Sequence, residues 1–324
     1  MPAPEILVTI AIPTRNRPSG LRAALESALN QSYPGLEIIV SDNNTVEDVK
    51  PVVEGFHDPR VKYFRHDQTL DMAANWNFCL GKASGDFFLL LSDDDFLFPE
   101  AVERLLAAAR RCEAAFSYGR AIFEDEGGRR IGTSHKAPQI ERGREFIRES
   151  LAARRQALPS FTLFRTASAR ALGGYPETGN STDLALRLSL ALSGPVTCAS
   201  EPLGVYRLHS GSMTGDVDKT IESFGALAEW SARAENPLAG WKDAIRGYCA
   251  SSLLTRARSS ALRGEKSAAW RLMAKASELR CWHWYDRLIL HIFSLRLAGL
   301  LAILRRKVSV KCLHNGSKDK SLHG

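Results

Sequence analysis

Three consecutive aspartates, Asp93, Asp94 and Asp95, follow the apolar run Phe87–Leu91 after a single serine, Ser92. Adjacent carboxylates repel one another unless a cation or hydrogen-bond donors absorb the charge. Carboxylate oxygens are the ligands that Mg²⁺ and Mn²⁺ prefer, and Mg²⁺ commonly shares its shell with substrate phosphates. The stretch therefore fits a divalent-metal site serving a phosphorylated ligand. It equally fits an acidic loop that ends a strand and caps the helix after Pro99, since Asp is a common cap residue. Two further polar groups sit in comparable places: Thr14–Asn16 after the run Ile6–Ile12, and Asp42–Asn44 after Leu36–Val40.

The elements that must carry these residues can be read from the apolar pattern. Ile6–Ile12, Leu36–Val40, Val61–Phe64 and Phe87–Leu91 are short apolar runs, the first two rich in β-branched residues. Such runs predict strands buried on both faces, as in a parallel sheet. Between them, Leu21–Asn30 and Met72–Lys82 carry helical spacing. The β-α-β-α alternation predicts an α/β fold with a doubly wound sheet and right-handed crossovers. In such a sheet the polar strand ends, Thr14–Asn16, Asp42–Asn44 and Asp93–Asp95, meet in one crevice. No Gly-x-Gly-x-x-Gly follows the first strand and no Gly-Lys-Ser/Thr loop is present, so a nucleotide would be held by side chains and a metal.

Further on, Ala101–Arg111 predicts a helix, Ala115–Gly119 a strand and Glu126-Gly-Gly128 a hairpin turn. Glu141–Arg154 reads as helix, Thr162–Phe164 as strand and Asp183–Leu192 as helix. Val196–Ser200 and Val205–Leu208 read as strand-like pieces around Glu201-Pro202. Residues 215–238 read as a helix with a loose linker.

With these segments placed, the chain resembles the family 2 glycosyltransferases, nucleotide-sugar-dependent enzymes of the GT-A fold. The resemblance spans roughly residues 5–215. It rests on Val8-Thr-Ile-Ala-Ile-Pro-Thr-Arg-Asn16, Gln31-Ser-Tyr-Pro34, Glu37-Ile-Ile-Val-Ser-Asp-Asn43, Ala83-Ser-Gly-Asp86 and Ser92-Asp-Asp-Asp-Phe96. Gly173-Gly-Tyr175, Asp183-Leu-Ala-Leu-Arg187 and Tyr206-Arg-Leu-His-Ser-Gly-Ser212 complete it. The resemblance implies that Pro13 and Thr14 lie against the nucleotide base and that Asp42 binds base or ribose. Asp93 falls on the nucleotide side of the acidic motif, and Asp95 on the ligand of a metal, Mn²⁺ or Mg²⁺, that bridges the diphosphate. Arg15, Asn16, Asn77 and Asp94 join the expected nucleotide-sugar site. His209 is expected to approach the metal. Family members invert at the sugar carbon by direct displacement, in which a positioned carboxylate is the natural base. The implied donor is a UDP, dTDP or GDP sugar and the implied acceptor a glycan or lipid-linked hydroxyl.

Two departures stand out. The family often shows Glu-Asp-x-Asp-Leu-x-Leu-Arg with the first Asp as base, whereas this chain has Asn180-Ser-Thr-Asp-Leu-Ala-Leu-Arg187. Ser181 takes the base position, leaving Asp183 as the expected base, a residue that also suits an N-cap. Loss of the usual base raises a second reading, a non-catalytic nucleotide-sugar-binding scaffold. Trp76 stands where many relatives carry Arg, to stack on a ligand or pack in the core. Asp71 is expected to cap the helix after Leu70.

Six widely spaced cysteines without a Cys-x-x-Cys pair argue against a zinc site or a disulfide framework. The beginning of the chain lacks a basic-then-apolar signal pattern, so a cytoplasmic location is expected. The net charge of +7 divides unevenly: residues 1–239 carry −5 and residues 240–324 carry +12. The expected organisation is a catalytic unit over 1–214, with a nucleotide half to about 112 and an acceptor half over 113–214. A helical extension over 215–307 and a disordered basic tail over 308–324 follow. Within the extension, Gly247–Leu262, Lys266–Leu279 and Asp286–Leu304 read as helices. The last is interrupted by Arg296 and falls short of the roughly 20 apolar residues a span requires. Trp282, Trp284 and Tyr285 before it and Arg305-Arg-Lys307 after it fit an interfacial helix on the inner leaflet. They also fit a helical cap with a solvated basic face. A nucleic-acid partner is not expected, because the basic residues are not interleaved with a binding module.

Overall fold

The structure is a computed structural model that describes residues 6–208 and 216–279. Its first half alternates as the apolar pattern requires: β1 (Val8–Thr14), α1 (Pro18–Leu29), β2 (Leu36–Asp42), α2 (Lys50–Glu54), β3 (Val61–Arg65), α3 (Met72–Lys82) and β4 (Phe87–Leu90). After β5 (Phe96–Leu97) come α4 (Ala101–Arg110), β6 (Phe116–Glu124), β7 (Arg130–Thr133), β8 (Ile140–Glu141) and α5 (Gly143–Leu151). Next are β9 (Thr162–Arg165), α6 (Thr166–Ala171), α7 (Thr182–Ala191) and β10 (Val196–Arg207). Three helices close the described chain: α8 (Val217–Ser231), α9 (Lys242–Leu262) and α10 (Lys266–Leu279).

All the strands join one mixed sheet, whose main path runs β3-β2-β1-β4-β9-β6-β10-β5. The strands from β3 to β4 are parallel to their neighbours, and β9 enters antiparallel between β4 and β6. Strand side chains alternate between faces, and here both faces are covered. Val8, Ile10, Ile12, Phe87 and Leu89 pack on one side with Leu21 and Leu25 of α1 and Leu105 of α4. Ala11, Phe88 and Leu90 pack on the other with Leu186 and Leu188 of α7. This is why the strand sequences are continuously apolar instead of alternating.

The second face extends without a break into Leu227, Ile245, Leu253, Leu272 and Met273, so α8–α10 share their core with α7. Asp71 caps α3, its side chain accepting from the Ala74 N–H at 2.9 Å. Trp76 packs against the core and meets the Tyr175 ring edge-on at 5.2 Å. The two strand-like pieces expected around Glu201-Pro202 form the single strand β10, with shifts of register against β6 on either side of Pro202. Proline is tolerated at such irregularities because no regular ladder bond is lost there. Among the described residues no helix is long and apolar enough to cross a membrane. His209, the aromatic segment 282–285, the expected helix 286–304 and the tail 308–324 lie outside the described residues.

Candidate active site

The parallel register of the sheet brings two polar strand ends side by side: Thr14 at the end of β1 is the register partner of Asp42 at the end of β2. Asp42 is fully buried. One of its oxygens accepts from the Thr45 N–H at 2.8 Å and the other from the Tyr63 hydroxyl at 2.7 Å. Burial, and then the Asp42 carboxylate, push the Tyr63 phenol above its ordinary range. Asn16 adopts a left-handed φ of 57°, a conformation Asn tolerates better than most residues. Its side-chain oxygen accepts from the Val46 N–H at 2.9 Å and its own N–H donates to Thr45 Oγ1, so it ties the loop after β1 to the loop after β2. Pro13 is half-buried on β1, and Arg15 is exposed at the mouth of the same loop.

The acidic triplet follows β4 on the adjacent side of β1. Asp93 is buried and accepts from Thr14 Oγ1 at 2.8 Å. Arg17 donates through Nη1 to Asp93 Oδ1 at 3.0 Å and to Asp94 Oδ2 at 2.8 Å. Arg17 was not singled out from sequence. Pro18 fixes the first turn of α1, which sets the residue just before it against the acidic loop. Burial would lower the Arg17 pKa, but the two carboxylates outweigh it and raise it. Asp95 is the most enclosed of the three at 1% exposure. Its Oδ2 accepts from Ser160 Oγ at 2.5 Å and its Oδ1 from the Arg207 backbone N–H at 3.1 Å. Burial raises the Asp93 carboxyl despite Arg17, and burial together with Asp94 raises Asp95 further.

Asp183 lies in the first turn of α7, and Ser181, not Asp183, occupies the N-cap position. Its Oδ2 accepts from Arg187 Nη1 at 2.6 Å, one helical turn on. Ser181 is buried and paired with Ser223 Oγ at 2.8 Å. The Tyr206 phenol is raised by burial first and then by the charges of Asp95, Asp94 and Asp183. Beside Asp183 opens a cavity of about 340 Å³ whose walls come from α5, α7, α8 and α9. Asn77 sits elsewhere: its amide donates to the Tyr175 carbonyl and accepts from the Tyr175 N–H, both at 2.8 Å. Both ends of that amide are therefore engaged in joining α3 to the Gly173-Gly174 turn.

Whether the acidic triplet suits a divalent cation can be judged from its donor set. Each Asp95 oxygen accepts one hydrogen bond and keeps a further lone-pair direction. Burial is the main cause that raises the carboxyls of Asp93 and Asp95, and a cation beside them would favour their ionised forms. Among the described residues no group of three or more His, Cys, Asp or Glu side chains forms a protein cage. Mg²⁺ held through one or two carboxylates plus phosphates does not require one. Carboxylates of this kind suit a cation shared with a diphosphate.

A mixed sheet of this order, with an acidic loop beyond its central strand, defines a glycosyltransferase fold of the GT-A type. The chain belongs to glycosyl transferase family 2, whose model matches residues 9–171. A β-1,3-glucosyltransferase of Campylobacter jejuni, named for the acceptor GalNAc(5)-diNAcBac-PP-undecaprenol, is 32% identical over 161 residues, 49% of this chain and 51% of the relative. The Escherichia coli UDP-Glc:α-D-GlcNAc-diphosphoundecaprenol β-1,3-glucosyltransferase WfgD is 28% identical over 115 residues, 36% of this chain and 46% of the relative. The chain spans about half the length of the curated relatives it matches. Among solved structures, S. aureus TarS with UDP-GlcNAc superposes with a TM-score of 0.62 at 15% identity, over 85% of this chain and 80% of TarS. The mannosyltransferase PcManGT of Pyrobaculum calidifontis, solved with GDP-Man and Mn²⁺, gives 0.54 at 15% identity, over 91% and 81%.

Proposed function

We propose that this chain is an inverting glycosyltransferase that moves a sugar from a nucleoside-diphosphate donor to a hydroxyl of a glycan or lipid-linked acceptor. The observation that carries this reading is the acidic loop Asp93–Asp95, held against Thr14 at the end of β1 beside the buried Asp42, in a chain of glycosyl transferase family 2. Pro13, Asn16 and Asp42 shape the base and ribose end, while Asp93, Asp94 and Asp95 hold the diphosphate end. A divalent cation, Mn²⁺ or Mg²⁺, would supply charge stabilisation for the departing diphosphate there. Asp183 accepts the proton of the attacking hydroxyl. The hydroxyl oxygen forms a bond to the anomeric carbon as the bond to the phosphate oxygen breaks, and the electron pair leaves with the nucleoside diphosphate.

Ser181 is excluded as the proton acceptor by its chemistry and by its partner, the buried Ser223 hydroxyl. Arg187 holds Asp183 in one geometry through their ion pair. The lipid-linked acceptor class is carried over from the C. jejuni and E. coli relatives, whose names specify undecaprenol-linked acceptors. It agrees with the basic charge of residues 240–324, which suits the anionic inner leaflet. The test is Asp183→Asn in a transfer assay against a panel of UDP, dTDP and GDP sugars. Transfer is expected to fall by about 10²–10⁴ with donor binding intact. Unchanged transfer would remove Asp183 from the reaction. Absence of turnover in the unmodified chain, with donor binding retained, would favour the scaffold.

A further inference from the structure

The cavity beside Asp183 is lined by polar atoms left over once the protein's own hydrogen bonds are made. Arg187 is only 7% exposed, and its Nη1 donates to Asp183 Oδ2. Its Nε is buried with no hydrogen-bond partner. Ser150 of α5 also lines the cavity at 7% exposure, and its hydroxyl bonds to no other group among the described residues. Asp183 engages Arg187 through Oδ2, so its Oδ1 stays open as an acceptor. A buried donor without an acceptor is costly, and in a cavity it marks a place for one. At about 340 Å³ the space is far larger than the roughly 30 Å³ of a single water. It falls within the range of small-molecule sites, about 300–1,000 Å³.

The lining also indicates what kind of molecule fits. Arg155 and Arg187 are each matched by a carboxylate, Glu141 and Asp183. What they offer a ligand is hydrogen-bond donors instead of uncompensated charge. Phe224 of α8 and Tyr248 of α9 add an aromatic wall, their rings edge to face with centroids 6.0 Å apart. Directed donors and acceptors beside an aromatic surface complement a ring with hydroxyls around its rim and C–H faces between them. We infer that this cavity takes the terminal, uncharged sugar ring of the acceptor. Its hydroxyls would meet Ser150, Arg187 Nε and Asp183 Oδ1, and a C–H face would lie on Phe224 and Tyr248. The inference rests on the reading that Asp183 serves the acceptor. It adds the ligand class, a neutral pyranose. It also gives α8 and α9, which stand beyond the residues matched by the family model, a part in acceptor choice.

The test is a ligand-observed magnetic-resonance titration of the full chain with methyl glucoside, methyl galactoside and their 2-acetamido counterparts. Glucose 1-phosphate serves as the charged comparison. At least one neutral glycoside is expected to bind saturably, and the phosphate no more tightly. Ser150→Ala is expected to weaken that binding about fivefold, by loss of one hydrogen bond. Phe224→Ala is expected to weaken it about tenfold. Ser150→Ala removes a single oxygen, so it decides the matter even if Phe224→Ala fails to fold. Absence of saturable binding by every neutral glycoside, tenfold tighter binding of the phosphate, or unaltered affinity in Ser150→Ala would overturn the inference. Transfer measured in parallel with Asp183→Asn separates the two conclusions. Transfer that survives this change, with glycoside binding still weakened by Ser150→Ala, defeats the proton-acceptor role and leaves the sugar site. Transfer lost in Asp183→Asn, with no glycoside bound by the unmodified chain, defeats only the sugar site.

Discussion

Asp95→Asn isolates the role of charge at the tip of the central strand. The substitution keeps the side-chain shape and deletes one negative charge. The carboxylate accepts from the Arg207 backbone N–H and from Ser160 Oγ. An amide keeps one acceptor, and the Ser160 hydroxyl can rotate to accept from its NH₂. Removing a carboxylate next to Asp94 also relieves like-charge repulsion. Stability without ligand is therefore expected to change by no more than about 1 kcal/mol. The ligand-bound state behaves differently. At a concentration 100-fold above its Kd, a nucleoside diphosphate with its cation stabilises the native chain by about 2.7 kcal/mol. For a chain of 324 residues that is a rise in Tm of about 4 °C. In Asp95→Asn the rise is expected to shrink below about 1 °C. The assay is thermal melting of both proteins with UDP, dTDP and GDP in Mn²⁺, Mg²⁺ or EDTA. An equal rise in the variant, or an equal rise in EDTA for the unmodified chain, would refute the reasoning.

Arg17→Ala removes the counter-charge that Arg17 supplies to Asp93 and Asp94. Two partly exposed ion pairs are worth about 1 kcal/mol together, so Mn²⁺ affinity in the absence of nucleotide is expected to rise about fivefold, read by paramagnetic resonance titration. Unchanged affinity would mean that Arg17 and a cation do not compete. Glu37→Gln tests a buried carboxylate that accepts from Lys62, Ser84 and Thr9. Burial alone would raise Glu37, but these donors outweigh it and hold its pKa at about 2. A depressed carboxylate stabilises the fold above its unfolded pKa. The advantage over Glu37→Gln, about 2 kcal/mol, is thus expected to be full above about pH 4.5 and to vanish as the pH falls toward 2. A difference independent of pH in denaturant melts would contradict this. Gly85→Ala would place a Cβ 2.6 Å from the Thr9 backbone nitrogen. A loss of about 1–3 kcal/mol is expected, and a normal unfolding midpoint would argue against this close approach of the chain to β1.

How much of this was legible beforehand depended on how local the cause was. The runs Val8–Ile12 and Phe87–Leu90 announced themselves because alternate residues bury into opposite faces, leaving no polar position. Asp93–Asp95 was visible because three carboxylates gather just beyond such a run. Arg17 was not visible: nothing distinguishes it from Arg15 in sequence, and only the helix start at Pro18 separates the inward from the exposed arginine. The Asn77–Tyr175 clamp joins residues 98 apart, and no local pattern marks it. The same holds for Ser181–Ser223 and for the cavity, since their parts come from helices far apart in the chain. β10 was broken in two on paper because Pro202 reads as an interruption; the register shifts around it let one strand continue.

That strand has a consequence for how the protein can diverge. Its middle, from Ser200 to Gly204, carries surplus residues relative to β6, with a shift of register on each side of Pro202. Val205 to Arg207 pair with Ile122 to Glu124 in unbroken register, a methyl on Gly204 just before them would meet the Phe96 carbonyl, and Arg207 supplies the amide on Asp95. Insertions and deletions near Glu201 can be absorbed by the puckered edge before they disturb the carboxylates. The same change two or three positions later would slide the amide off its acceptor. Length variation among natural variants should therefore gather around Pro202 and spare the last three residues of the strand.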